Sequence, residues 1–233
     1  MLNLVLADAE LELVPPQIQH HPSVRSYARK RGMSPASILL DSSFHHPAMK
    51  KLEQGERRGR PDIVHVFMLI CLDSIVNAEK RLTTVVHTRN NEMIRIAPET
   101  RIPRNFTRFV GLVEGLFENG RVPREGDALL TLERDKDLRA VLEEVGGKPI
   151  ALDPGGKQVN LLDYLSKEKE DLTFVIGGFP HGEFNSPVKE LCKDTISIFT
   201  EPLKAWTVAA ELLVSYRLAS LGGRRTRVRK SSA

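Results

Sequence analysis

Apolar positions along this chain switch between continuous runs, alternation and helical spacing. The opening run, Leu2 to Leu6, is unbroken and reads as a strand. A polar stretch containing Val14-Pro15-Pro16 follows, and then a helix is predicted over 22–31. "ASILLDSS" predicts a short strand, Ile38 to Leu40, running into an Asp-Ser-Ser turn. "HHPAMKKLEQ" predicts a short helix with Pro47 near its start. Over 62–80 the apolar spacing is helical and dense, so a buried helix is expected, with Asp62 as its N-cap. The β-type runs "RLTTVVHTRN" and "EMIRIAPET" meet at Asn90-Asn91 and predict a hairpin over 82–96, read as an insertion.

"RNFTRFVGLVEGLFENG" predicts an amphipathic helix over 104–120 that stops at Gly120. A strand is expected over 128–132, then a helix in "LRAVLEEVGG" and a strand in "KPIALDPGG". A short helix in "NLLDYL", a strand in "DLTFVIGG", a helix in "SPVKELCK" and a strand in "DTISIFT" come next. A long helix closes the series, and Gly222-Gly223 is expected to end it. Strands alternating with helices predict an α/β fold with a parallel sheet and helices on its faces. There is no internal repeat or Pro/Gly/Ser-rich linker, so a single domain, 1–221, is expected. The basic stretch 222–233 is expected to be a disordered tail.

Composition narrows the class. The 233 residues suffice for a proper core, and 41% hydrophobic with 27% charged content is ordinary for a soluble globular protein. The longest near-apolar run, "IVHVFMLICL", is too short to cross a bilayer. "MLNLVLADAELELV" has no basic stretch before its apolar part and does not read as a signal peptide. Cys71 and Cys192 read as buried thiols without disulfide or metal spacing. An intracellular, cytoplasmic protein is expected. His65 and the pair His45-His46 have no carboxylate at ligand spacing, so no metal is expected. The net charge is +4, but "RRTRVRK" at 224–230 carries five of those positive charges and leaves the rest near −1. Any nucleic-acid contact must therefore come from local patches.

Two stretches carry candidate chemistry. In "DLTFVIGGFPHGEF" a strand runs into Gly177-Gly178, with Gly182 shortly after. The loops at 153–156 and 200–206 also follow strands, so three strand ends deliver loops to the side where α/β sheets bind ligands. The Walker A pattern fails because Glu183-Phe184 stands where Lys-Ser/Thr is needed, and GxGxxG is absent. A glycine loop with a histidine and no lysine suits an adenosyl thioether or sulfonium better than a polyphosphate. A simple tight turn is the alternative reading. The second stretch is a pair of arginine groups: Arg57, Arg58 and Arg60 in "GERRGRPD", and Arg101, Arg104 and Arg108 in "RIPRNFTRF". A helix starting near Pro103 would put the last three on one face, where guanidiniums could line a phosphate backbone beside Phe106 or Phe109. An ordinary solvated face is the alternative. Asp62 can cap a helix, hold Arg60 in a bidentate pair, or act as a general base.

Taken in order, "RRGRPDIVH", "RIPRNFTRFVGL", "IGGFPHGEF" and "ISIFTEPLKAWTV" resemble the small-subunit ribosomal RNA pseudouridine N1-methyltransferases of archaea and eukaryotes, a SPOUT-class family. The resemblance runs from residue 2 to about 221, and the compact length looks archaeal. It implies a C-terminal trefoil knot, S-adenosylmethionine as cofactor, a homodimer, and a role in small-subunit ribosome biogenesis. It implies that Gly177 and Gly182, with Ile198, Phe199, Thr200, Glu201, Pro202 and Leu203, hold the cofactor. Arg60, Arg101, Arg104 and Arg108 match RNA-contacting positions, and Asp62 the acid that orients an arginine. The family often has Tyr where this chain has Phe106. A non-catalytic rRNA-binding assembly factor and a SPOUT methyltransferase acting on tRNA are the competing functions.

Overall fold

The computed structural model describes residues 1–230. Eight strands, β1 (Leu2–Ala9), β2 (Leu82–Thr88), β3 (Met93–Ile96), β4 (Arg121–Val122), β5 (Leu130–Glu133), β6 (Lys148–Gln158), β7 (Leu172–Gly177) and β8 (Asp194–Ser197), form one sheet. Its order is β4-β5-β3-β2-β1-β7-β6-β8. The helices are α1 (Pro22–Arg31), α2 (Ser42–Met49), α3 (Pro61–Leu72), α4 (Ile75–Ala78) and α5 (Phe106–Asn119), then α6 (Leu138–Val145), α7 (Leu161–Lys167), α8 (Val188–Leu191) and α9 (Ala205–Lys230).

β1 is buried at every position, which is why its sequence lacks alternation: it lies between β2 and β7 with both faces covered. Leu2, Leu4 and Leu6 point into a core shared with α3, α5, α7 and α9. Val5 and Ala7 point the other way, against residues of α6 and α8. Helices therefore cover both faces, as expected. A smaller core joins α1 and α2.

Local signals placed several boundaries well. Pro22 starts α1 after His21, whose side chain accepts from the Ser23 amide, and Gly32 ends it at φ +65°. The Asn105 side chain caps α5 and Gly120 ends it. Both cysteines are buried.

Five expectations are corrected. The sheet is mixed, not wholly parallel: β3 and β5 pair antiparallel at one end, where β5 alternates in burial as a half-covered strand does. The hairpin 82–96 is no insertion, because β2 pairs parallel with β1 from Leu2↔Leu82 onward and sits inside the sheet. The strand expected at 38–40 is a single bridge between Leu13 and Leu39. The helix expected over 62–80 breaks at Asp73-Ser74, where the Ser74 hydroxyl accepts from the Asn77 amide and starts α4. Finally, α9 continues through Gly222-Gly223 to Lys230; a helical glycine costs about 1 kcal/mol relative to alanine and does not by itself force a stop. The expected tail's last residues, 231–233, lie outside the described residues. Among the described residues no helix is long and apolar enough to cross a membrane.

Candidate active site

The carboxyl ends of β7 and β8 and the bulged middle of β6 open onto one cavity of about 280 Å³. Leu152, Asp153 and Pro154 come from β6, Ile176 and Gly177 from β7, and Ile196 and Ser197 from β8. Phe179, His181, Gly182 and Phe184 close it from the loop after β7. Ile198, Phe199, Glu201, Pro202 and Leu203 close it from the loop before α9. Seven of the eight candidate cofactor residues thus line one space, and Thr200 does not. Asp153 and Pro154, from the third expected loop, and His181, the histidine of the glycine loop, line it too, as do Phe179 and Phe184, which the sequence did not point to. The loop expected at 153–156 was the available signal, although in the structure those residues lie inside β6, which runs on to Gln158. β6 bulges there, and Gly156 passes so close to Ile196 that a Cβ would lie 2.7 Å from its backbone.

The two glycines at the end of β7, Gly177 within it and Gly178 just past it, differ in purpose. Gly178 continues the sheet, donating to Ala7 and accepting from the Glu10 amide, and a Cβ would meet Ala9 at 2.6 Å. Gly177 faces the cavity with the Phe179 ring folded over it, 2.8 Å from where a Cβ would stand. The lining holds two carboxylates and one histidine, and no lysine or arginine. That chemistry fits a largely apolar nucleoside with hydroxyls, and has no cradle for a polyphosphate.

The first arginine loop abuts this cavity through Arg57. The Arg57 guanidinium is buried, with Cζ 4.2 Å from the Phe179 ring centroid. Its Nε donates to Glu10 Oε1 at 2.6 Å and its Nη1 to the Glu183 carbonyl at 2.8 Å. Arg89 donates to the other Glu10 oxygen, also at 2.6 Å. Burial pushes the Glu10 carboxyl above its ordinary range, while Arg89 and Arg57 pull it back. Arg58 makes two 2.7 Å bonds to Glu12. Arg57 and Arg58 therefore serve the fold, and of the first group only Arg60 faces outward for a ligand.

Arg60 donates from Nε and Nη2 to the two Asp62 oxygens, at 2.8 and 2.7 Å. Asp62 is not the N-cap of α3: Arg60 stands there, Pro61 takes the first turn, and Asp62 follows. With both oxygens engaged, the carboxylate is suited to aiming the guanidinium. The second group departs from its expected register. α5 begins at Phe106, so Arg101 and Arg104 precede it in an extended strap and only Arg108 rides the helix. The strap is tied to α3 by His65, whose Nε2 donates to the Pro103 carbonyl at 2.7 Å, one turn beyond Asp62. All three arginines are exposed. Phe109 is core, stacked on His65 at 4.4 Å, whereas Phe106 is partly exposed. Among the described residues, no cluster of three or more His, Cys, Asp or Glu could hold a metal ion.

The chain as a whole is similar to known proteins. The chain is 54% identical over 217 residues to the "Ribosomal RNA small subunit methyltransferase Nep1" of Methanothrix thermoacetophila, covering 93% of this chain and 95% of that one. The protein of the same name from Thermococcus onnurineus is 49% identical, covering 93% and 98%. A crystal structure of Archaeoglobus fulgidus Nep1 bound to S-adenosylhomocysteine superposes with a TM-score of 0.84 at 38% identity, over 94% of this chain and 98% of that one. The family model described as "EMG1/NEP1 methyltransferase" matches residues 4–217 of the 233, and the chain belongs to that methyltransferase family.

Proposed function

We propose that the protein methylates nitrogen 1 of a pseudouridine in small-subunit ribosomal RNA, with S-adenosylmethionine as donor, during small-subunit ribosome biogenesis in the cytoplasm. The observation that carries this reading is the contact at Arg57, which joins the nucleoside-sized cavity to the loop bearing Arg60. The residues fit the donor: Gly177, Gly182, Ile198, Phe199, Glu201, Pro202 and Leu203 would hold it, with Asp153 beside them. S-adenosylmethionine supplies a methyl already activated by its sulfonium sulfur. The protein's task is alignment and exclusion of water. Phe179, Phe184 and Pro202 wall the cavity, Asp62 aims Arg60, and Arg60, Arg101, Arg104 and Arg108 would grip phosphates and unstacked bases around the target. Pseudouridine offers a free ring N–H at nitrogen 1, whereas in uridine that nitrogen carries the sugar. The proton released there goes to water or to Asp62.

Two further features belong to this reading. The segment after β8 threads the C-terminal part as a trefoil knot; the order β7-β6-β8 and the tight passage of Gly156 against Ile196 support it. The active unit is a homodimer formed around α9: Leu162, Phe199, Val214 and Leu218 are exposed apolar side chains on α7, α9 and the loop before α9.

The test is methyl transfer from labelled S-adenosylmethionine to two synthetic stem-loops that differ only in carrying pseudouridine or uridine at one loop position. Label on the pseudouridine RNA alone is expected. Label on both moves the target elsewhere, and label on neither with RNA binding intact supports a binding-only protein. In the same assay, Arg60→Ala is expected to weaken RNA binding about tenfold, the worth of one good charge-assisted contact, with S-adenosylhomocysteine affinity unchanged by calorimetry. A large loss of S-adenosylhomocysteine affinity would refute that division of labour.

A further inference from the structure

Between Glu12 and Glu53 the chain carries a single acidic residue, Asp41, against six arginines and lysines. Asp41 is buried and spent as the N-cap of α2, accepting from the Ser43 amide at 2.8 Å. Arg31 is paired with Glu114 by bonds of 2.5 and 2.6 Å. Arg25, Arg29, Lys30, Lys50 and Lys51 remain, all exposed. The surface of α1 and α2 is thus cationic without exposed counter-charges of its own, although the chain outside 224–230 is near neutral.

An aromatic pair sits in this surface. Phe44, in the first turn of α2, stacks on Tyr27 of α1 with ring centroids 4.4 Å apart and planes 24° from parallel. His45 abuts Tyr27 edge-on at 5.1 Å, and the Arg31 guanidinium lies 5.7 Å from the Tyr27 centroid. Phe44 is backed by this stack and still 48% exposed. The start of α2 also touches the arginine loop, since the Ser42 amide donates to the Gly59 carbonyl at 2.9 Å. Phe44 therefore stands two residues from the point where α2 is bonded to the segment that presents Arg60.

We propose that Phe44, held by Tyr27 on the cationic surface of α1 and α2, is a second RNA subsite that stacks an unpaired nucleobase of the substrate while cations of that surface, Arg25 and Arg29 among them, take its phosphates. This rests on the reading of the protein as an RNA methyltransferase. A half-open ring on a surface with an excess of exposed cations matches single-stranded nucleic acid: every base has a face to stack, and the backbone carries negative charge. A protein partner would need acidic residues against the same ring, and is the alternative the test separates.

The experiment is fluorescence anisotropy with the pseudouridine stem-loop, its loop enlarged by unpaired nucleotides on both sides of the target. Phe44→Ala is expected to bind roughly 5- to 100-fold more weakly than the unmodified protein, with S-adenosylhomocysteine affinity unchanged. The double variant Arg25→Gln/Arg29→Gln is expected to lower the slope of log affinity against log salt by about 1.4. Phe44→Trp should keep the affinity, and RNA should quench its fluorescence beyond the change seen with Trp206 alone in the unmodified protein. The last readout holds if Phe44→Ala fails to fold. Unchanged RNA affinity in Phe44→Ala without quenching in Phe44→Trp overturns the subsite and leaves the ring to a protein partner. If the unmodified protein binds neither the enlarged nor the minimal stem-loop, the functional reading falls and the subsite with it.

Discussion

Replacing Glu10 by alanine is expected to lower the stability of the fold by about 3–5 kcal/mol, the usual cost of stripping one partner from a buried ion pair. Glu10 is fully buried at the end of β1, and each of its oxygens accepts from a different guanidinium. Without it, Arg57 and Arg89 are left facing each other in a space that holds few alternatives. Arg57 already carries one buried Nη2 with no hydrogen-bond partner, so its position depends on Glu10 and on the Glu183 carbonyl. The loss should spread to the cavity, because Arg57 backs the Phe179 ring. Denaturant unfolding measures the first effect and S-adenosylhomocysteine titration the second. Glu10→Gln keeps the shape and loses the charge, and should fall between the two proteins. A loss below about 1 kcal/mol for Glu10→Ala would mean that Arg89 transfers to Glu12, 3.8 Å away, and that Arg57 becomes solvated.

That pair also explains what a linear reading misses. Arg57 and Arg58 looked like two members of a basic patch, because three arginines spaced by glycines resemble a solvated basic loop. Their partners, Glu10 and Glu12, lie 47 and 46 residues earlier. No local pattern links the two stretches. The link exists because β1 runs down the middle of the sheet and delivers both carboxylates under the loop before α3. Strand order is hidden for the same reason. The run Leu82–Thr88 reads correctly as a strand with a turn after it, yet nothing within it says that it pairs with β1 instead of hanging off the domain. The cavity was more legible. A strand ending in glycine and two neighbouring strand ends are local facts, and the geometry of parallel strands brings those ends together on one side. The missing contributors, Phe179 and Phe184, are turn residues whose directions depend on how that loop folds back.

Gly177→Val is expected to weaken S-adenosylhomocysteine binding by about 10- to 100-fold while leaving RNA affinity within about twofold. The backbone at Gly177 is not in the left-handed region, so a side chain there meets no torsional penalty of that kind. The obstacle is space. A Cβ would stand 2.8 Å from the Phe179 ring, well inside ordinary contact, so either the ring or the strand end must shift. The ring cannot shift freely, because Arg57 lies across it at 4.2 Å and Phe184 meets its edge at 5.2 Å. Overpacking of this kind costs about 1–3 kcal/mol, and in a cavity wall the cheapest relief is to fill the cavity. The strain then appears mainly as lost ligand affinity, at one factor of ten for each 1.4 kcal/mol. Gly177→Ala, with a single carbon to accommodate, should lose less. If Gly177→Val binds S-adenosylhomocysteine like the unmodified protein and still unfolds at the same temperature, the ligand does not occupy the space between Gly177 and Phe179. The adenosyl site would then have to be sought on the other wall, between Asp153 and Glu201.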